Sequence, residues 1–208
     1  LPYGRIMRFI EYFSEGGFSM YPLLICSVVV WAVFIEKIWF LSRFKRDFKG
    51  LYAKALKLIE DGKIIECTGL VKSAESYLKT PFLAVLEGKE LAHDEWEKNI
   101  SRKLSETHLV LKRFLWLLGT IGNLAPFIGL FGTVVGIIKS FDSMAKSGKT
   151  GFAVVSTGLA EALIATAAGI LVAVVAVLFY NFFQAQINTL NLRMKNSLEE
   201  LVQKVEKS

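Results

Sequence analysis

Two long apolar stretches and one shorter stretch interrupt an otherwise mixed chain. Residues 114–138 carry no charged side chain, and residues 152–183 carry one, Glu161. About 20 apolar residues in a helix cross about 30 Å of hydrocarbon, so the pattern predicts membrane spans at 114–138 and 152–184. A further span is expected at 18–41. Its apolar part, Leu23 to Ile35, gives way to Glu36-Lys37 before Ile38-Trp39-Phe40-Leu41. A Glu-Lys pair beside a Trp one turn from a helix end reads as an interfacial pair. Upstream, residues 1–17 set Arg5, Arg8, Glu11 and Glu15 among Ile6, Phe9, Ile10 and Phe13. That spacing suits a short amphipathic helix on a membrane surface, ended by Gly16-Gly17. No small-residue cleavage site follows the next apolar run, so a signal peptide is not expected.

Between the first two spans lies a polar segment, 42–113, with 15 Lys/Arg and 11 Asp/Glu. Arg43, Lys45, Arg46 and Lys49 follow the first span directly, which marks that side as cytoplasmic. Asp61-Gly62 and Thr80-Pro81 are its expected breaks. No Gly or Pro occurs from Lys89 to Leu118, and Ile100, Leu104, Leu111 and Leu115 form a helical stripe. One helix is therefore expected to run through Lys112-Arg113 into the second span. Residues 139–151 read as a short periplasmic loop. Beyond the third span, Ile187, Leu190, Met194, Leu198, Leu201 and Val205 recur at heptad-like spacing. Residues 185–208 are thus expected to continue the span as a cytoplasmic helix. It would pack on the helix before span two or on a neighbouring subunit. The resulting fold class is an all-α integral membrane protein with three spans, the N-terminus periplasmic and the C-terminus cytoplasmic. Lys139, Lys146 and Lys149 in the short loop oppose this orientation, but the 42–113 segment outweighs them.

Composition agrees. In 208 residues, 53% are hydrophobic and 21% charged, and the mean hydropathy is +0.43, which excludes a wholly soluble enzyme. The net charge of +6 points to anionic lipid headgroups and orientation rather than to nucleic acid. Cys26 and Cys67 share no ligand spacing, and neither do His93 and His108, so no metal, cofactor or disulfide framework is expected. The histidines read as surface residues. No nucleophile–base pair is apparent. The glycines between Gly129 and Gly136 lack the P-loop pattern and sit in a span.

The second and third spans carry more specific patterns. Gly119, Gly122, Pro126, Gly129, Thr133 and Gly136 fall on one helix face, and so do Gly158, Ala162, Thr166, Gly169 and Ala173. Small residues let helices approach closely. Each face holds one threonine. A membrane threonine commonly bonds the carbonyl one turn back, or its hydroxyl lines a polar path. Glu161 costs about 2.5–3.5 kcal/mol to place in a span, and such groups face a bundle interior or water; the alternative is a glutamate near the outer end of the third span that reaches the interface. Asn181 reads as an inter-helix anchor. A lone chain is not expected to bury both small faces, so a homo-oligomer follows.

The stretch APFIGLFGTVVGI from Ala125 to Ile137 and the stretch GLAEALIATAAG from Gly158 to Gly169 closely resemble the TolQ/ExbB/MotA proton-channel family. Tyr180-Asn181 fits as well, as do Pro22-Leu23-Leu24 and Glu36-Lys37-Ile38-Trp39 in the first span. Three spans resemble the TolQ and ExbB branch more than MotA. The resemblance implies a homopentameric ring around two single-span partners of TolR/ExbD type, whose membrane aspartate carries the proton. The positions matching Thr133 and Thr166 would face that aspartate, with Glu161 a polar element of the same region. A force transmitter of TolA/TonB type would follow. No carrier aspartate occurs in the spans here, which fits a ring subunit that needs a partner. Val135 departs from the Trp common at that position. H+ is favoured over Na+ by the same resemblance.

Three other readings compete. A non-conducting scaffold would hold a single-span partner without flux. A flagellar stator ring would depend on cytoplasmic charges, for which Arg102, Lys103 and Glu106 are placed. A membrane enzyme is the weakest, for want of a catalytic constellation.

Overall fold

A computed structural model describes residues 17–88, 92–147 and 152–207. The amphipathic segment expected at 1–17 lies outside these residues except for Gly17, and the side chain of Glu161 lies outside them too. The described chain is helical: α1 (Met20–Glu60), α2 (Ile64–Lys72), α3 (Ser76–Glu87), α4 (His93–Leu111), α5 (Leu115–Ser147) and α6 (Phe152–Lys207). Three of these, α1, α5 and α6, are long and apolar enough to span a membrane. In their most apolar windows no more than a third of the positions are buried. Trp31, Phe127, Phe131, Leu171 and Leu178 stand exposed. So much contiguous apolar surface suits lipid and not water. α5 remains helical beyond Ile138 as far as Ser147, so most of the expected loop 139–151 is helix, with Asp142 paired to Lys146 at 2.7 Å.

The chain divides into two compact units. The first comprises residues up to Phe34 with Phe114–Asn181, and the second comprises Ile35–Arg113 with Phe182–Ser208. In the second unit, Phe40, Phe44, Phe48 and Tyr52 recur every four residues along α1 and form one aromatic stripe. Phe44 meets Tyr77 at 5.4 Å and Phe48 meets Phe82 at 5.8 Å between ring centroids, which seats α3 on α1. The heptad stripe of α6 is fully used: Ile187, Leu190, Met194, Leu198, Leu201 and Val205 are all buried. Its flanks are tied by Lys45 to Gln186 (2.7 Å), Lys204 to Glu60 (2.6 Å) and His93 to Glu206 (3.0 Å). Burial and the carboxylate of Glu200, which accepts its hydroxyl hydrogen, push the Tyr52 phenol up to about 12.

Of the expected breaks, Asp61-Gly62 holds. Lys63 N–H donates to Leu58 O and Gly62 N–H to Ile59 O, with Gly62 at φ +73°. This is a Schellman ending, which needs the left-handed conformation that glycine adopts freely. The break expected at Thr80-Pro81 does not occur, because Pro81 lies inside α3. Proline removes the N–H that would serve the carbonyl four residues back. Here Thr107 Oγ1 on α4 sits 3.1 Å from Tyr77 O, the carbonyl so deprived, and equally close to Lys103 O. Thr107→Val is therefore expected to cost about 1–2 kcal/mol of stability through a buried unsatisfied carbonyl, measured by thermal unfolding. A loss no greater than that of Ser105→Ala, an exposed hydroxyl bonded to Ser101 O on its own helix, would refute this. At the end of α3, Gly88 answers a close approach. A Cβ there would fall within the Trp96 indole, whose Nε1–H donates to Ala84 O at 2.9 Å.

The single helix expected from α4 into the second span is broken. α4 ends at Leu111, and Phe114 has φ +62° before α5 begins at Leu115. For a non-glycine residue that conformation costs about 1–2 kcal/mol. No local glycine or proline explains it.

α4 and the last turns of α6 also enclose a cleft of about 890 Å³ that includes His108 and Asn191. His93 is exposed as expected, but His108 is half-buried, and burial followed by the charge of Lys112 lowers its pKa. The folded state thus prefers neutral His108. Its contribution is complete above the unfolded value of about 6.5 and is lost as pH falls through the lower folded value. His108→Gln should flatten the fall in melting temperature between about pH 7 and pH 5. An unchanged slope would contradict this.

Candidate functional site in the paired membrane helices

Within the first unit, α5 and α6 pack antiparallel along their small faces. A Cβ added to Gly122 would lie 2.6 Å from Val177 Cγ2. One on Gly129 would lie 2.9 Å from both Ala165 O and Thr166 Cα, and one on Gly136 would lie 2.6 Å from Ala162 Cβ. From the other side, a Cβ on Gly169 would lie 2.5 Å from Ala125 O, and one on Gly158 would collide with the Ser140 hydroxyl. The small residues therefore face each other. The expectation that a lone chain leaves these faces unburied is overturned, since each face is the other's partner and the stripe alone no longer argues for an oligomer. Pro126 lies half-buried in the same row.

This close approach places the two threonines. Thr133, 8% exposed, donates to Leu130 O on its own helix at 2.6 Å. Thr166 donates across the seam to Gly129 O at 2.9 Å. Two hydroxyls from two helices thus converge on consecutive carbonyls of α5. A hydroxyl has one hydrogen and two lone pairs. With both hydrogens committed to the backbone, each Oγ1 faces any third group as an acceptor. Glu161 lies on α6 one turn and a residue before Thr166, and Asn181 is exposed on α6.

Two serines extend the seam without having been singled out. Ser140 continues the spacing of Gly136 by four residues, and its hydroxyl donates to Gly136 O at 2.8 Å. Ser19, buried on the first residues before α1, lies against Gly132. The period of the stripe would have found Ser140, whereas Ser19 leaves no sequence signal because its partner is on another helix. Phe179 then holds α1 to α6, with Phe34 stacked on it at 4.1 Å and Trp31 edge-on at 5.5 Å.

The Glu36-Lys37 pair is not simply interfacial. Lys37 is wholly buried, and its ammonium donates to Leu111 O at 2.9 Å. Glu36 pairs with Arg113 at 3.3 Å and lies 3.6 Å from Lys37. Among the described residues no group of His, Cys, Asp and Glu has a metal-binding arrangement.

Comparison with known proteins gives concordant results. The profile of the MotA/TolQ/ExbB proton channel family matches residues 72–196. The biopolymer transport protein ExbB of Pseudomonas putida is 34% identical over 177 residues, covering 81% of this chain and 53% of that protein. ExbB of Salmonella typhimurium is 33% identical over 178 residues, covering 82% of this chain and 73% of the relative. The Tol-Pal system protein TolQ of Pseudomonas aeruginosa is 47% identical over 76 residues, covering 36% of this chain and 33% of the relative. The chain thus spans about half the length of the Pseudomonas putida relative. The paired small faces and both threonines lie inside the profile match.

Proposed function

The chain belongs to the MotA/TolQ/ExbB proton channel family, an inner-membrane, multi-pass protein, and from that premise we propose that it is a ring subunit of a proton-driven motor of TolQ/ExbB type. The observation that carries this reading is the convergence of Thr133 and Thr166 on the adjacent carbonyls of Gly129 and Leu130. Two hydroxyls gathered at one level of the paired helices supply the kind of polar lining that a proton path uses.

In this reading five copies surround a pair of single-span partners of TolR/ExbD type, whose membrane aspartate carries the proton. Proton flow does mechanical work on the envelope through a TolA/TonB-type transmitter. The N-terminus is periplasmic and the C-terminus cytoplasmic, in keeping with the basic cluster Arg43, Lys45, Arg46 and Lys49. Because the threonine hydroxyls can only accept, they stabilise the partner's carboxyl while it is protonated and offer its carboxylate no donor. Discharge of the proton therefore weakens the contact, which favours movement to the next subunit. Glu161 supplies a second polar group near this path, and exposed Asn181 anchors α6 to a neighbouring chain.

Cysteine cross-linking tests the arrangement. Thr166→Cys should form a disulfide with a cysteine placed one turn from the partner's membrane aspartate, and a cysteine at lipid-exposed Leu171 should not. Equal yields at the two positions would reject the lumen assignment.

A further inference from the structure

No glycine or proline accompanies the break between α4 and α5, but a side chain from another helix reaches it. From Lys89 to Leu118 there is neither Gly nor Pro. In an uninterrupted helix Leu111 O would accept from Leu115 N–H. Here the Lys37 ammonium donates to that carbonyl at 2.9 Å. Lys37 and Leu111 are both fully buried, so the bond forms away from water, where an ammonium without acceptors is strongly disfavoured. Glu36 Oε2 lies 3.6 Å from the ammonium and the Phe40 ring 5.4 Å away at its centroid. Past Leu111 the backbone tightens, with Arg113 N–H donating to Val110 O at 3.2 Å, and Phe114 turns to φ +62°.

We propose that Lys37 is the helix stop of α4: its buried ammonium captures the carbonyl that would otherwise carry the helix onward, making residues 112–114 a joint with two hydrogen-bonding states. In one state Lys37 caps Leu111 and Phe114 is left-handed. In the other, Leu115 N–H takes Leu111 O, Phe114 returns to the helical region, and the cap is released. A joint with two discrete backbone states is a bistable element of the kind through which conformational changes are relayed. Lys37 acts on it as a positioning residue.

Amide hydrogen exchange of the full-length protein in lipid nanodiscs tests this. In Lys37→Met, exchange at Leu115 and Trp116 should slow roughly tenfold, since these first-turn amides gain helical partners. Lys37→Arg, which keeps a cationic donor, should retain the wild-type rates. Adding Phe114→Gly to Lys37→Met should restore fast exchange, because glycine accepts the left-handed conformation. Wild-type exchange in a folded Lys37→Met protein would overturn the proposal, and so would slowed exchange in Lys37→Arg. Should Lys37→Met fail to fold, the native background decides: Phe114→Gly must melt above Phe114→Ala. The reverse order, as expected in a helix interior, would overturn it.

Discussion

Gly169→Val is expected to separate α5 from α6 and to abolish recovery of folded protein from membranes. A Cβ at 169 lies 2.5 Å from Ala125 O, 3.1 Å from Gly129 Cα and 3.2 Å from Gly129 N. All three are backbone atoms, so no rotamer change relieves the contact and the helices must move apart. Over-packing costs about 1–3 kcal/mol where side chains can give way, and a backbone obstacle puts valine at or beyond the top of that range. Separation also pulls Thr166 Oγ1 away from Gly129 O, and the other close approaches along the seam open with it. Even Gly169→Ala must shift the seam. Gly50→Ala supplies a control of opposite sign. Gly50 lies within α1 with nothing within 4 Å of a built Cβ, and alanine there should stabilise by about 0.5–1 kcal/mol. Equal melting temperatures for Gly169→Val and wild type would refute the seam as described.

The second large effect separates function from folding. Thr166→Val preserves volume but removes the hydroxyl, and membrane inter-helix hydrogen bonds average about 0.6 kcal/mol. Assembly should therefore survive with a small loss of stability. Thr133→Val should be milder still for folding, because its hydroxyl donates to the carbonyl of Leu130 on the same helix rather than across the seam. In each variant, energy transduction should nevertheless fall to background, and serine at either position should restore most of it. Normal transduction in both valine variants would remove the threonines from the proton path. Loss of assembly in both would make them structural.

These contrasts also show what is legible in the residues themselves. The spans, the long α6 and its buried stripe follow from apolar periodicity, which is local. So does the turn at Gly62. The two small faces are equally visible as spacings, but a spacing does not name its partner, and the partner is the other small face of the same chain. Pro81 breaks a helix by local rules, yet Thr107, 26 positions along the chain, supplies a donor to the carbonyl that proline leaves bare. The stop at Leu111 is invisible for the same reason, since it is made by Lys37 on α1. The chemistry of Thr133 and Thr166 is suggested by the sequence, and so is the bond of Thr133 to its own helix, while the bond of Thr166 across the seam belongs to the packed helices.

The central claim, that this chain conducts protons only with a single-span partner, is tested most directly by proton flux into liposomes holding the purified ring with and without that partner. Flux is expected with the partner, and should vanish without it, with Thr166→Val, and when the partner's membrane aspartate is replaced. Flux from the ring alone, or flux undiminished by loss of the aspartate, would contradict the account.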